Sequence, residues 1–217
     1  MMLFHKTLAL ALPFFFLPFL VPQNDPAAEQ LLKQVQEKYE AYANMKIQYV
    51  QTITNPESDL DQTLGGTLYL MDDNFRIETA GQVLMSDNEK LYIYFIEENE
   101  LTIDYMEDDE VFKPSDIFNL YNKDFKYTQA GTTTIDGAEH AVILFTPVRK
   151  DDYDLHTIRL FINKSNYSIS KAELKDKSNN LVVYAIKKVT PNLDISSSFF
   201  RFDTAEHPGV IVTDNTK

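Results

Sequence analysis

The segment Gly66–Tyr105 places the strongest constraint on what this chain can fold into. Five short runs follow one another there, and in each run an apolar or aromatic residue recurs at every second position. The breaks between the runs are rich in Asp, Asn, Glu, Ser and Gly, as in Asp72-Asp73-Asn74 and Glu97-Glu98-Asn99. A period of two with turn-forming residues at the breaks predicts an antiparallel meander of five strands.

The chain on either side of this meander adds to the same sheet. Residues from Pro26 to Ala43 repeat apolar side chains at helical spacing, directly after a possible N-cap, and they predict an amphipathic helix that lies on the sheet. Met45–Thr54 and several apolar runs from Phe125 onward predict further strands. The segment from Pro114 to Tyr121 predicts a short helix with one apolar side.

The expected fold class is therefore mainly β (α+β), with a curved antiparallel sheet of about eleven strands. One long N-terminal helix and one or two short helices would cover its apolar face. Helices are few for a sheet of this size, so part of the apolar face would stay uncovered. Such a hydrophobic concavity is the usual setting for a ligand pocket.

Residues 1–22 differ in kind from the rest of the chain. A short basic start precedes an uncharged apolar run of 15 residues, Thr7–Val21. A membrane-spanning helix needs about 20 apolar residues, so this order predicts a secretory signal peptide. Residues 23–217 would then be a single domain in the periplasm. The chain has no Cys, so that domain would use no disulfides and could not itself carry the lipid of a lipoprotein.

The charge of the chain disfavours nucleic acid as a partner. The formal net charge is −13, and loss of Lys6 with the signal peptide would bring the exported form to −14. An acidic protein of this size does not bind a phosphate backbone through its overall charge. Contacts with membranes would have to be hydrophobic or made through a protein partner.

No residue pattern indicates catalysis. Sequence motifs for serine hydrolases, zinc proteases and phosphate-binding loops are absent. The histidines that follow the signal peptide, His140, His156 and His207, are widely spaced. Paired carboxylates fall in acidic turns, where nothing would desolvate one of them and raise its pKa. We therefore expect no enzyme activity, no catalytic residue, no metal site and no cofactor.

Five stretches together resemble a known family. They are Gly66–Leu70, Asn74–Ile77, Leu84–Tyr94, Phe200–Phe202 and His207–Val210. Their order, with the starting helix and the strand after it, resembles the periplasmic outer-membrane lipoprotein carrier proteins, the LolA-like family. The resemblance covers nearly the whole mature chain.

The resemblance implies an open, incomplete β-barrel of about eleven antiparallel strands with helices as a lid. Its cavity would take the acyl chains of lipoproteins that an inner-membrane ABC transporter releases. The protein, expected to be a monomer, would carry them across the periplasm to an outer-membrane receptor. Each buried CH₂ contributes about 0.8 kcal/mol, so acyl chains can bind without specific polar groups.

Two sets of residues are candidates for the site, although alternation alone does not decide which face of each strand points inward. The acyl-chain cavity candidates are apolar side chains of the predicted strands: Leu68, Leu70, Phe75, Ile77, Leu91, Ile93, Phe95, Ile143 and Phe145. The lid candidates come from the long helix and the short one: Leu32, Val35, Tyr39, Ile117, Phe118 and Tyr121.

The sequence departs from the family at two turns. Many members carry Arg-Pro after the second strand, where the arginine can hold the lid closed, and this chain has Asp72-Asp73 there. That latch is therefore not expected here. The family's Ser-Asp-Gly turn becomes Ser86-Asp87-Asn88, and Asn tolerates the positive φ that such a turn needs.

Three other interpretations remain open. One is a lipid-binding or lipoprotein-sensing periplasmic module of the same fold. Another is a secreted hydrolase, which lacks a visible nucleophile, and the last is a structural β-rich protein whose apolar face is simply core.

Overall fold

The computed structural model describes residues 25–106, 114–118, 125–149 and 153–217. The predicted signal peptide and the lid candidate Tyr121 lie outside these ranges. One α-helix, α1 (Pro26–Glu40), precedes a large sheet. The strands that the structure describes are β1 Met45–Asn55, β2 Leu60–Met71, β3 Asn74–Glu78, β4 Gln82–Ser86, β5 Lys90–Phe95, β6 Glu100–Tyr105, β7 Phe125–Ile135, β8 Ala138–Pro147, β9 Leu155–Asn163, β10 Ile169–Asp176, β11 Leu181–Pro191 and β12 Ile211–Asp214.

These strands form one curved sheet in the order β12-β6-β5-β4-β3-β2-β1-β11-β10-β9-β8-β7. Neighbours in the sheet are antiparallel except that β12 runs parallel to β6. Because β7 and β12 are the two edges, the sheet does not close on itself. The prediction of a mainly β fold with one long helix and a curved, open antiparallel sheet is confirmed. The sheet has twelve strands rather than about eleven.

Helix α1 begins at a side-chain cap and ends earlier than predicted. The Asp25 carboxylate accepts a hydrogen bond from the Ala27 N–H at 2.9 Å, and its second oxygen accepts one from the Gln129 N–H of β7 at 3.2 Å. These backbone donors, Gln129 first, lower the pKa of Asp25. One carboxylate thus caps the helix and joins it to an edge strand. The helix ends at Glu40 rather than near Ala43.

The turns of the meander use Asp and Asn in the left-handed region. Asp72, Asn88 and Asn99 have φ of 52°, 69° and 52°. Asn88 therefore takes the positive φ expected of the residue that replaces the family glycine. Asp and Asn adopt this conformation more readily than other non-glycine residues, so the turn keeps its shape.

The sheet buries side chains on both faces. We call the face against which α1 packs the inner face. Its core includes Leu32 and Val35 of α1 together with Phe145, Ile158 and other side chains of the strands. On the outer face, a second cluster of buried residues consists of Met85, Tyr92, Tyr94 and Leu101, and Phe202 and Val210 pack against it.

Candidate functional site

A cavity of about 270 Å³ lies between the inner face of the sheet and the helical segments above it. Its roof is formed by Tyr39 near the end of α1 and by Pro114 and Ile117 of the short 3₁₀ helix Pro114–Phe118. Strands β1, β2, β3, β10 and β11 supply the remaining wall. Each described lining residue is apolar or a tyrosine, and none of them is charged, so the cavity suits an apolar ligand.

Cross-strand register builds the floor of the cavity. Ile47 of β1 lies opposite Val189 of β11 on one side and Leu68 of β2 on the other. Leu68 in turn lies opposite Ile77 of β3. Directly opposite residues in a sheet have their β-carbons about 5 Å apart. Four strands therefore bring one aliphatic side chain each into a continuous row.

The C-terminal half of the sheet supplies a second wall. Ile169, Ala172 and Leu174 of β10 and Tyr184 and Ile186 of β11 line this side. The pairing of β10 with β9 is irregular between Ile169 and Lys171. On either side of this irregularity Ile169 and Ala172 are both buried in the inner core.

Tyr39 ties the roof to this second wall. Its hydroxyl accepts a hydrogen bond from the Ile169 N–H at 3.1 Å, in a buried position. Its ring packs edge-to-face against Tyr42, with 5.9 Å between ring centroids. Burial raises the pKa of Tyr39 to about 12. The phenol is therefore neutral at physiological pH and presents an apolar ring to the cavity.

Tyr49 and Tyr184 stand where the cavity opens. Their rings pack edge-to-face with 5.5 Å between centroids, and the Tyr184 hydroxyl accepts a hydrogen bond from Gln51 Nε2 at 3.0 Å. Burial raises the pKa of Tyr49 to about 12 and also raises the pKa of Tyr184. Tyr49 lies opposite Gly66 in the sheet.

Beyond these two tyrosines the cavity continues into a groove of about 590 Å³. The groove shares Tyr49, Ile77 and Tyr184 with the cavity. It runs along the inner face towards the turns that follow β3 and β5, and we call it the rim groove. Leu64, Leu84 and Phe95 are among its apolar lining residues, and Gln51, Gln82, Glu97 and Glu98 are among its polar ones.

The acyl-chain candidates lie in several different environments. Leu68 and Ile77 line the cavity, and Phe95 lines the rim groove. Four others are core residues of the inner face, at most 3% exposed: Leu70, Phe75, Ile143 and Phe145. Leu91 is half-buried against that core, and Ile93 lies opposite Leu84 in the register.

The lid candidates likewise lie partly in the cavity roof and partly in the core. Tyr39 and Ile117 line the cavity roof. Leu32 and Val35 are buried in the core beneath α1, at 4% and 2% exposure. Phe118 ends the short 3₁₀ helix.

Sequence reasoning concentrated on the meander and missed the part of the site that lies on β1, β10 and β11, together with Pro114 of the short helix. The missed cavity residues are Ile47, Tyr49, Pro114, Ile169, Ala172, Leu174, Tyr184, Ile186 and Val189. The alternation of Ile47 and Tyr49 in β1 was a usable signal. The pairing of β1 with β11, which places both strands at the centre of the sheet, had no local signal.

On the outer face, two charged contacts hold the segment 196–210 against the meander. Arg76 Nε donates to Glu78 at 2.7 Å, and its guanidinium lies 4.7 Å from the centre of the Phe199 ring. Arg201 Nε donates to the Asp87 carboxylate at 2.7 Å. Arg76 therefore supports the outer face, while the cavity lies on the inner one.

Within the ranges that the structure describes, no group of three or more His, Asp or Glu side chains is placed to hold a metal ion. None of the described helices combines the length and the apolar character needed to cross a bilayer.

Crystal structures of other bacterial proteins share this fold. An uncharacterized conserved protein from Thermus thermophilus superposes with a TM-score of 0.57 at 12% identity, over 87% of this chain and 99% of that one. LprF from Mycobacterium bovis gives a TM-score of 0.50 at 13% identity, over 80% and 97% of the two chains. Lipoprotein LppX from Mycobacterium tuberculosis gives 0.50 at 11% identity, over 80% and 100%.

The sequence itself carries the family assignment. No curated protein matches the sequence. The model of the family described as outer membrane lipoprotein carrier protein LolA matches residues 40–203, from the last turn of α1 to the segment that covers the outer face. This match spans most of the chain and includes every strand of the cavity wall, so the chain belongs to the outer membrane lipoprotein carrier protein LolA family.

Proposed function

We propose that this protein is a periplasmic carrier that holds the acyl chains of lipoproteins in its cavity and shuttles them from the inner to the outer membrane. The observation that carries the proposal is the cavity of about 270 Å³, uncharged throughout its described lining, in a chain of the lipoprotein carrier family. Burial of methylene groups contributes about 0.8 kcal/mol each. Affinity can therefore come from apolar contact alone.

The cavity also suits a ligand that must be released. Among the described residues, Tyr39, Pro114 and Ile117 supply its roof. The rim groove leaves the other end open. A carrier with an incomplete cover can pass its cargo to a receptor without unfolding. In this chain the Asp72-Asp73 turn stands where many relatives carry Arg-Pro, so we assign the holding of the roof to Tyr39 instead.

The proposed transport route implies two protein partners, one at each membrane. Residues 1–22 would direct the chain to the periplasm, and residues 23–217 would act there as a monomeric single domain. An inner-membrane ABC transporter of the lipoprotein-release type would load the cavity, and a receptor at the outer membrane would empty it. The proposal assigns no catalytic residue, cofactor, metal or nucleic acid to the protein.

The test compares two isoleucine-to-glutamate variants of the full chain produced in a bacterium with its own lipoproteins. Ile77→Glu places a charge in the cavity wall, whereas Ile211→Glu makes the same change at a site on β12 that is 61% exposed. Each protein is purified without detergent, and bound molecules are identified by native mass spectrometry. We expect acylated polypeptides on the wild type and on Ile211→Glu, and about tenfold less on Ile77→Glu because a buried charge disfavours an acyl chain.

Two results would contradict the proposal. One is a wild-type protein with no acylated molecule bound, and the other is an Ile77→Glu variant that carries as much as the wild type. Recovery of free lipids without acylated polypeptides would support the alternative, a lipid-binding or lipoprotein-sensing module of the same fold. Circular dichroism of both variants checks that they are folded.

A further inference from the structure

The rim groove differs from the cavity in its charge. Glu97 and Glu98, in the turn between β5 and β6, are the charged residues of its described lining, and both are exposed. The described lining of the cavity has no charged residue. No Lys, Arg or His therefore lines either compartment within the described residues. Lys187 lines a neighbouring depression that shares Tyr49 and Thr79 with the rim groove and also has Glu78 in its lining.

The groove is also continuous with the cavity. Tyr49, Ile77 and Tyr184 line both. An acyl chain that fills the cavity and leaves it beside the two tyrosines therefore places the polar part of its molecule in the rim groove. There it meets the amides of Gln51 and Gln82, which can pair with hydroxyl, ester and amide groups, and the two carboxylates.

We propose that the rim groove selects acylated ligands whose polar part carries no negative charge and discriminates against anionic lipids. This inference rests on the proposed acyl-chain cavity and specifies the class of acylated ligand that the cavity would bind. Two carboxylates without a described lining cation repel a carboxylate or phosphate at short distance. Hydroxyl, ester, amide and ammonium groups escape that penalty. The groove would thus favour an acylated glyceride or peptide over a free fatty acid with the same chain.

The experiment measures displacement of the uncharged dye 1-N-phenylnaphthylamine from the full chain by two ligands with one acyl chain each. Monopalmitoylglycerol is neutral and palmitate is anionic at pH 8. In the double variant Glu97→Gln/Glu98→Gln we expect palmitate to bind about fivefold tighter than in the wild type at low salt, with monopalmitoylglycerol unchanged. In the wild type, 1 M salt should narrow the gap between the ligands because it shortens the screening length to about 3 Å.

The matched control is Asp72→Asn/Asp73→Asn. It removes the same charge from the turn that joins β2 to β3, whereas the rim groove lies at the other end of β3. It should leave the affinity for palmitate within about 1.5-fold of the wild type, because these two charges lie at the end of β3 away from the rim groove and the repulsion between charges weakens with distance. An unchanged palmitate affinity in Glu97→Gln/Glu98→Gln, or an equal gain in the control, would overturn the inference. The salt dependence of the wild type decides the case if the double variant does not fold.

Failure of the two proposals can be told apart. If neither the dye nor either lipid binds the wild type, the cavity proposal fails and this inference fails with it. If both lipids bind and their ratio responds to neither salt nor the removal of Glu97 and Glu98, the cavity proposal stands and the selectivity is refuted.

Discussion

The ring of Tyr49 lies over the backbone of Gly66, its directly opposite partner on β2. A β-carbon added at position 66 would lie 2.9 Å from Cε2 of that ring and closer still to Cζ and the hydroxyl oxygen of Tyr49. Observed β-carbons do not approach other atoms so closely. The missing side chain of Gly66 is therefore what leaves room for the Tyr49 ring where it meets Tyr184 at the opening of the cavity.

A pair of alanine substitutions tests this relationship. Gly65→Ala adds a methyl group with no atom within 4 Å, whereas Gly66→Ala displaces the Tyr49 ring. We expect Gly66→Ala to lower the free energy of unfolding by about 1–3 kcal/mol, as overpacking does, and to weaken binding of a fluorescent acyl probe. Gly65→Ala should match the wild type or exceed it by about 0.5 kcal/mol, because Ala restricts the unfolded chain. Urea denaturation measures both, and equal effects at the two positions would refute the role of Gly66.

Asp87 and Arg201 join two of the stretches in which the sequence resembles the family. The Asp87 side chain is only 7% exposed. Burial acts to raise its pKa, but hydrogen bonds from the backbone N–H groups of Lys90 and Glu89 and from Arg201 outweigh this, and the pKa of Asp87 is lowered. The contact holds the segment 196–210 on the outer face.

The lowered pKa of Asp87 predicts a pH-dependent loss of stability. A carboxylate whose pKa is lower in the folded state contributes stability above its unfolded value, near 3.9, and that stability is lost as the pH falls through the folded value. Asp87→Asn should therefore lower the free energy of unfolding at pH 7 by about 1–2 kcal/mol. The difference from the wild type should shrink below about pH 4. Urea denaturation at a series of pH values measures it, and a constant difference would contradict the assignment.

Local periodicity was sufficient to predict the elements but not their arrangement. The alternation in Gly66–Tyr105 marks β2 to β6, and the helical spacing after Asp25 marks α1, because each pattern is set by neighbours in the chain. The pairing of β1 with β11 depends on residues far apart in sequence, such as Ile47 and Val189. Half of the cavity wall follows from that pairing.

Alternation also could not separate core from cavity along one strand. Leu68 and Leu70 point to the same inner face of β2, yet Leu68 lines the cavity and Leu70 is 3% exposed in the core. The difference depends on where α1 and the segment Pro114–Phe118 end above the sheet. No property of the strand itself encodes that position.

Phe75 and Ile77 show the same distinction on β3 and allow a direct test. Phe75 is 3% exposed in the core, and Ile77 lines the cavity. Phe75→Ala should lower the free energy of unfolding by about 3–5 kcal/mol, whereas Ile77→Ala enlarges an existing space and should cost less. Binding of an acyl probe should respond in the opposite order, with the larger loss of affinity in Ile77→Ala. A larger loss of affinity in folded Phe75→Ala than in Ile77→Ala would contradict the prediction that the ligand contacts Ile77.

Removal of the Tyr39 hydroxyl tests how the roof is held. Tyr39→Phe keeps the ring in the cavity wall but leaves the buried Ile169 N–H without the acceptor that lies 3.1 Å away. We expect the free energy of unfolding to fall by about 1–3 kcal/mol and the Ile169 amide to exchange its hydrogen faster. Tyr42→Phe, on the ring that packs against Tyr39, is the control and should leave exchange at Ile169 unchanged.

The titration of Tyr39 gives this prediction a second readout. Its pKa is about 12 in the folded protein and near 10 in an unfolded chain. A group whose pKa is higher in the folded state contributes stability that is fully present below the unfolded value and is lost as the pH rises through the folded one. The wild type should therefore lose more stability than Tyr39→Phe between about pH 10 and pH 12. Parallel loss in both proteins, with unchanged exchange at Ile169, would show that this hydroxyl does not hold the roof.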